Sequence, residues 1–283
     1  VGFQLSFTPL PSNDAFASAS PLGPLPVRMQ GELQYASAEP GEPNPTDNNY
    51  PQSVWYRWTA ESSGTVFLAN EDNTEESIWT FSTASTAAVF VGNSVDRLQR
   101  VDAGNQTFEA VQGSTYWIGL FANRGSYRPG AYSWILLPRP SNDQVTQATW
   151  IASEGGRVSG YTALSTRQVD PGDADASTGG SVWYRWTPEA TGFATLTFRG
   201  NPKAQCSVYF GAEPTTATSV PVTETPVDAG ERFLHLATTA GVPLWIAIRV
   251  DGLGLELGNG GLFDLTVAMT DLELESNASL LTE

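Results

Sequence analysis

A stretch of seven residues, Ser53-Val54-Trp55-Tyr56-Arg57-Trp58-Thr59, returns unchanged as Ser181-Val182-Trp183-Tyr184-Arg185-Trp186-Thr187. The flanking markers keep the same register. Pro11-Ser12-Asn13-Asp14 returns as Pro140-Ser141-Asn142-Asp143, and Glu39-Pro40-Gly41-Glu42 has an acidic counterpart in Asp170-Pro171-Gly172-Asp173. Val101-Asp102-Ala103-Gly104 recurs as Val227-Asp228-Ala229-Gly230, and Trp117-Ile118 as Trp245-Ile246. A fixed period of about 128 residues that fills nearly the whole chain is the mark of a duplicated domain. The expected organisation is one copy over residues 11–138 and a second over 139–269. Residues 1–10 stand in front of them, and an acidic tail or linker follows over 270–283.

Each copy reads as β. Short runs rich in Val, Thr, Phe, Tyr and Trp alternate with Gly, Pro, Asn and Asp clusters, at Gln52–Ala60, Thr65–Ala69, Thr107–Val111, Thr115–Phe121 and Ala131–Leu137. The second copy repeats the pattern at Gly180–Thr187, Phe193–Phe198, Phe233–Ala237, Leu244–Val250 and Leu262–Met269. Many short strands with no βαβ alternation predict an all-β protein of two tandem antiparallel β-sandwiches, jelly-roll-like in topology. The one helical hint is Asp14–Ser20, where Asn13 or Asp14 could cap a short turn.

Charge narrows the partners. The chain carries 30 acidic and 14 basic residues, a formal charge of −16, and its only lysine is Lys203. Residues 12–139 hold 13 acidic and 7 basic residues and residues 140–269 hold the same numbers, so the excess follows the duplication. Scattered cations on an acidic chain argue against nucleic acid, which needs clustered Lys and Arg. No apolar run reaches the roughly 18 residues of a membrane span, so no membrane insertion is expected. A single cysteine, Cys206, excludes an internal disulfide framework. The single histidine, His235, lies on a predicted strand with no equivalent in the first copy, which speaks against a Ser/His/Asp site and against an enzyme.

Two constellations carry chemistry. In the first, the Asn-Asp step and the acid-Pro-Gly-acid turn offer the oxygens a hard cation needs. The candidate calcium ligands are Asn13, Asp14, Glu39, Glu42 and Asp47 in copy one, and Asn142, Asp143, Asp170, Asp173 and Asp175 in copy two. The competing reading makes Asn13 and Asp14 turn caps and the acids a solvated loop. In the second, strand alternation puts Val54, Tyr56 and Trp58 on one face and Trp55, Arg57 and Thr59 on the other. One face must be core. The other, with Trp55 and Arg57 and their counterparts Trp183 and Arg185, is either a stacking platform for a ligand or a surface covered by a loop.

With these residues assembled, the repeat resembles the bacterial pre-peptidase C-terminal domain family, β-sandwich modules attached to secreted hydrolases and surface proteins. The resemblance rests on Asn13-Asp14-Ala15-Phe16-Ala17, Glu39-Pro40-Gly41-Glu42-Pro43, the Trp motif, Gly64-Thr65-Val66, Gly113–Ile118 and Gly130-Ala131-Tyr132. Such domains are similar to the non-catalytic, calcium-binding collagen-binding modules of clostridial collagenases. The resemblance implies an extracellular or bacterial cell-surface location and a function in binding; it names no ligand. One departure is that relatives which bind calcium often carry Asp where this chain has Ser53 and Trp55.

The termini suggest a sharper form. Gly2-Phe3-Gln4-Leu5-Ser6-Phe7, then Pro9-Leu10-Pro11, reads like the strand that closes each copy. Residues 1–8 are therefore expected to be the last strand of a preceding repeat, either because the chain was cut from a longer array or because this strand pairs with a neighbouring molecule. Two functions follow: a structural or attachment module that assembles head-to-tail with its own copies through terminal strands or holds an extracellular polymer, and a carbohydrate- or protein-binding accessory domain of a secreted hydrolase.

Overall fold

A computed structural model of the chain describes residues 9–47, 51–71, 85–102, 106–123, 130–167, 179–200, 204–212, 218–219, 223–227, 231–250 and 261–270. The expected terminal strand at residues 1–8, and the tail, lie outside the described residues. The chain divides into two compact units that change over between Pro140 and Ser141.

Each unit is a pair of sheets. In the first, one sheet runs in the order β1 (Ser20–Pro21), β3 (Ser53–Thr59), β8 (Thr115–Ala122), β5 (Ser85–Val91), β6 (Gln99–Arg100). The facing sheet is β2 (Val27–Glu32), β9 (Ala131–Pro138), β4 (Gly64–Asn70), β7 (Thr107–Ala110). Among the described strands from β2 to β9, every step along the chain crosses between the sheets except β5 to β6. That crossing pattern is what a jelly-roll-like sandwich requires, because each sheet can bury only one face against the other.

The second unit repeats this plan. Its sheets are β10 (Thr149–Ile151), β12 (Gly180–Trp186), β18 (Leu244–Val250), β14 (Ala204–Phe210), β15 (Thr218–Ser219), and β11 (Gly156–Gly160), β19 (Phe263–Thr270), β13 (Gly192–Gly200), β17 (Glu231–Thr238), β16 (Thr223–Val227). The edge strand β16 has no described counterpart in the first unit. The sheets are antiparallel except at one edge of each unit, where β1 runs parallel to β3 and β10 parallel to β12. These edge pairings span only two and three residues, too short to leave a periodic trace in the sequence.

Between the sheets of the first unit, Val54, Tyr56 and Trp58 of β3 meet Met29, Val66, Leu68, Ile118, Leu120, Trp134 and Leu136 in one cluster. Tyr56 and Tyr132 share a 2.7 Å hydroxyl contact inside it, and burial pushes the Tyr132 phenol well above its ordinary pKa. Tyr132 faces Gly31 across the β2–β9 ladder. A Cβ at Gly31 would stand 2.6 Å from its hydroxyl oxygen, so only glycine fits there. Gly160 plays the same part in the second unit, where a Cβ would come 2.3 Å from the Tyr184 hydroxyl. Burial raises the Tyr184 phenol to about 12.

Two expected features differ. The Asp14–Ser20 turn is a single 3-10 turn, Phe16–Ser18, whose N-cap position is Ala15 with no side-chain cap. Neither Asn13 nor Asp14 caps it, because both side chains are used elsewhere. The central strands β5 and β14 went unread in the sequence, since Ala-Ala and Gln-Cys-Ser interrupt the β-branched pattern. Pairing with β8 and with β18 overrides weak local preference there.

Candidate functional site

The duplicated Asn-Asp step is a latch on the Trp strand. Asn13 Nδ2 donates to the Trp55 carbonyl at 3.1 Å, and the Trp55 amide donates to the Asn13 carbonyl at 2.8 Å. Asn142 grips Trp183 in the same two ways, both at 2.9 Å. Asp14 accepts from the Ser37 amide at 2.6 Å and the Ser37 hydroxyl at 2.7 Å. Asp143 accepts from the Thr166 amide and from the Thr166 hydroxyl at 2.8 Å. Each aspartate thus closes a loop of the same length, 23 residues on. Satisfying buried polar groups in this way is reason enough for the two residues to recur together.

The Glu39-Pro40-Gly41-Glu42 turn locks onto the same segment. Glu39 accepts the Phe16 amide at 2.6 Å, and Glu42 accepts the Glu39 amide at 2.8 Å. Asp47 is exposed, in the left-handed region at φ 48°. Among the described residues, no three His, Cys, Asp or Glu side chains gather as a cation site. Asp170, Asp173 and Asp175 lie outside the described residues, so the second copy's acid loop has no geometry here.

Glu42 is partly buried beside Glu39. Burial raises its pKa above 4.5, and the Glu39 charge adds to this, while hydrogen bonds from Ser53 and the Glu39 backbone oppose it; Trp55, whose indole nitrogen makes no well-formed hydrogen bond, has the least influence. A raised carboxyl pKa means the fold favours the protonated form, so Glu42 costs stability at pH 7 and that cost disappears below about pH 4.5. Glu42→Gln keeps the acceptor and removes the charge. It should raise Tm by about 2 °C at pH 7 and by nothing at pH 4, measured by thermal scans at both values. An equal shift at both would show that burial of the charge is not the cause.

The alternation of the Trp motif is as expected, and its outer face is covered in part. Trp55 is fully buried beneath the Asn13–Ala19 segment, in an aromatic cluster with Phe16, Phe90 and Phe121. Phe16 and Phe121 meet it edge-on at 5.4 and 5.6 Å. Trp183 is likewise fully buried, with Tyr209, Trp245 and Ala247. Neither tryptophan presents a face to a ligand, which corrects their reading as platform residues. A loop covers them because a strand apolar on both faces must be shielded on both.

The arginines of the motif remain, and the two copies have diverged around them. Register places Pro21, Arg57, Trp117 and Phe90 side by side across the first unit, and Trp150, Arg185, Trp245 and Tyr209 in the same order across the second. In the first copy Phe16 lies on Trp117 at 4.1 Å. Val145 holds the position of Phe16 in the second copy and packs with Ala148 against the Trp183–Trp245 cluster. The smaller side chain leaves the Trp245 ring to Arg185, whose guanidinium carbon sits 5.0 Å from that ring and 4.3 Å from the ring of Trp150. Trp245 is fixed by its indole N–H, which donates to the Gly211 carbonyl at 3.0 Å.

Trp150 is 69% exposed. Arg185 makes no ion pair or hydrogen bond among the described residues, and its Nε is buried without a partner. In the first unit Arg57 is exposed and borders a shallow hollow of about 480 Å³ with Pro21 and Glu61. Sequence reading missed Trp150. The repeat alignment sets Trp150 opposite Pro21, a large aromatic in place of proline, but only the register places it beside Arg185. A second concavity, about 580 Å³ and polar, opens at the mouth of the first sandwich between Asn13, Gln30, Glu32, Tyr35 and Tyr132.

His235 stands on the outer face of β17 with Nδ1 3.0 Å from Thr195 Oγ1, and Cys206, the single cysteine, is half-buried. No helix among the described residues is long and apolar enough to cross a membrane.

No family model and no curated protein matches the chain. Among solved structures, the CUB1-EGF-CUB2 region of human MASP-1/3 is 11% identical and aligns over 86% of this chain and 100% of that one, at a TM-score of 0.22. The same region of rat MASP-1 is 10% identical, over 85% and 97%, also at 0.22. An anti-sigma factor domain-containing protein is 10% identical, over 85% and 86%, at 0.23. Likenesses of this depth carry no argument about what the chain does.

Proposed function

We propose that this chain is a non-catalytic attachment module that works outside the cell or at the bacterial cell surface, built from two sandwiches of the pre-peptidase C-terminal kind. The observation that carries the reading is the divergence of the copies. The polar residues they share, Asn13 with Asp14 and Asn142 with Asp143, hold the frame together. Among the described residues, the second copy alone sets an exposed tryptophan against an arginine that has no ion pair. At 69% exposure the Trp150 ring keeps most of its apolar surface available for a contact with something outside the chain.

The test is affinity electrophoresis of the whole chain in native gels holding xylan, hydroxyethylcellulose, polygalacturonate or gelatin. Retardation is expected in at least one gel and is expected to be lost in Trp150→Ala, whose Tm stays within about 1 °C of the parent because the side chain is at the surface. Identical migration of parent and variant in every gel would overturn the reading.

A further inference from the structure

Resting on that reading, we propose that Trp150 and Arg185 form a subsite for an acidic oligosaccharide, one sugar ring stacking on the open face of Trp150 and a carboxylate of the adjoining ring meeting the edge of the Arg185 guanidinium. An arginine is ionised at every physiological pH and carries five N–H donors in one plane. Here the guanidinium carbon sits 4.3 Å from the centre of the Trp150 ring and 5.0 Å from that of Trp245, and the register puts these two rings on the strands either side of Arg185. With those two sides taken by the rings and Nε buried, a ligand meets Arg185 through the edge formed by its two terminal nitrogens. A planar carboxylate, accepting two parallel hydrogen bonds, is the group that matches such an edge.

The surroundings favour an acidic ligand in an otherwise acidic molecule. The chain carries −16 overall, but the strand residues that share the outer face with Arg185 are Ser181, Trp183, Trp245, Ala247, Arg249, Gln205, Ser207 and Tyr209, with no acid among them. Glu189, in the turn beyond β12, makes no ion pair with Arg185. The general acid excess repels densely charged polymers, while among the described residues Arg185 has no carboxylate paired with it.

The indole adds the second requirement. One face of Trp150 carries the guanidinium, so an apolar ligand face can stack only on the other. The stacked group and the guanidinium then lie on opposite sides of one indole, roughly 8 Å apart if the ligand stacks at ordinary van der Waals distance. A single sugar ring cannot stack on one side and place its own carboxylate on the other. Two linked rings can, which sets a minimum ligand length.

The experiment titrates the intact chain with tri-galacturonate, its fully methyl-esterified form, galacturonic acid monomer, cellotriose and a tetra-glutamate peptide, followed by tryptophan fluorescence and calorimetry. Tri-galacturonate is expected to bind, with the ester and the monomer at least tenfold weaker. Trp150→Ala and Arg185→Ala should each weaken the trimer about tenfold or more, and Arg185→Lys should recover only part, since a point charge lacks the two-pronged edge. The ester binding as well as the acid, or the monomer as well as the trimer, would overturn the carboxylate or the straddling geometry. Tighter binding of tetra-glutamate would transfer the site to acidic peptides and overturn the sugar. Arg185 is half-buried, so Arg185→Ala could unfold the sheet edge; Trp150→Ala, at the surface, keeps the proposal falsifiable. If Trp150→Ala abolishes retardation in the gels while tri-galacturonate fails to bind the parent chain, the ligand class falls and the attachment module stands. If neither measurement responds to Trp150, both fall.

Discussion

Asp143→Ala is expected to lower the stability of the second unit by about 3 kcal/mol and to lower the Tm of its transition by about 10 °C, while leaving the first unit's transition in place. The carboxylate is 3% exposed and accepts both the amide and the hydroxyl of Thr166. Truncation leaves that amide without a partner in a site water reaches poorly, which costs more than the hydrogen bonds themselves contribute. Asp143→Asn should recover about half, because one carbonyl oxygen can still accept the amide and the Thr166 hydroxyl can turn to accept from the new NH2. Asp14→Ala should act in the same way on the first unit through Ser37. Scanning calorimetry with and without EDTA also separates a latch from a metal ligand. If chelation lowers Tm and the aspartate variants lose that sensitivity, a cation sits among these carboxylates and the hydrogen-bonded latch is not their main role.

The second large effect distinguishes the two exposures of tryptophan on one sheet face. Trp183→Ala removes a fully buried indole from the cluster of Tyr209, Trp245 and Ala247. It should cost about 4 kcal/mol, enough to lower the second unit's Tm by about 15 °C. Any loss of binding should accompany that loss of folding. Trp150→Ala, on the exposed edge strand β10 next to the Trp183 strand, should leave Tm in place and remove binding alone. Urea titrations monitored by circular dichroism, run beside the gel assay, give both readings on the same samples. A stable Trp183→Ala that binds nothing would return the buried tryptophan to the site and count against Trp150 as its centre.

Much of the frame was legible because it depends on local repetition. Strand alternation in Ser53–Thr59 correctly put Val54, Tyr56 and Trp58 together, and all three lie in the central core. The short edge strands β1 and β10 and the alanine-containing β5 were not legible, since their strand character comes from pairing with β3, β12 and β8, whose partner residues lie 27 or more positions along the chain. The latch was visible as a recurring Asn-Asp pair, yet its task was not. The distance of 23 residues from Asp14 to Ser37 and 42 from Asn13 to Trp55 leaves no local pattern connecting them. The same holds for the arginine site. Sequence singled out Arg57 and Arg185 equally, and only the cross-strand register shows that one stands beside proline and the other between two indoles.

By itself, then, the sequence determined a duplicated all-β chain with strands about seven residues long, because duplication and period-two alternation are properties of neighbouring positions. Tertiary structure alone decided which face of the Trp strand is shielded, what the Asn-Asp pair holds, and where an arginine is set between two indoles. Those outcomes depend on sheet order and register, which bring together residues far apart in the chain, and burial there is shared by two faces that the sequence pattern cannot tell apart.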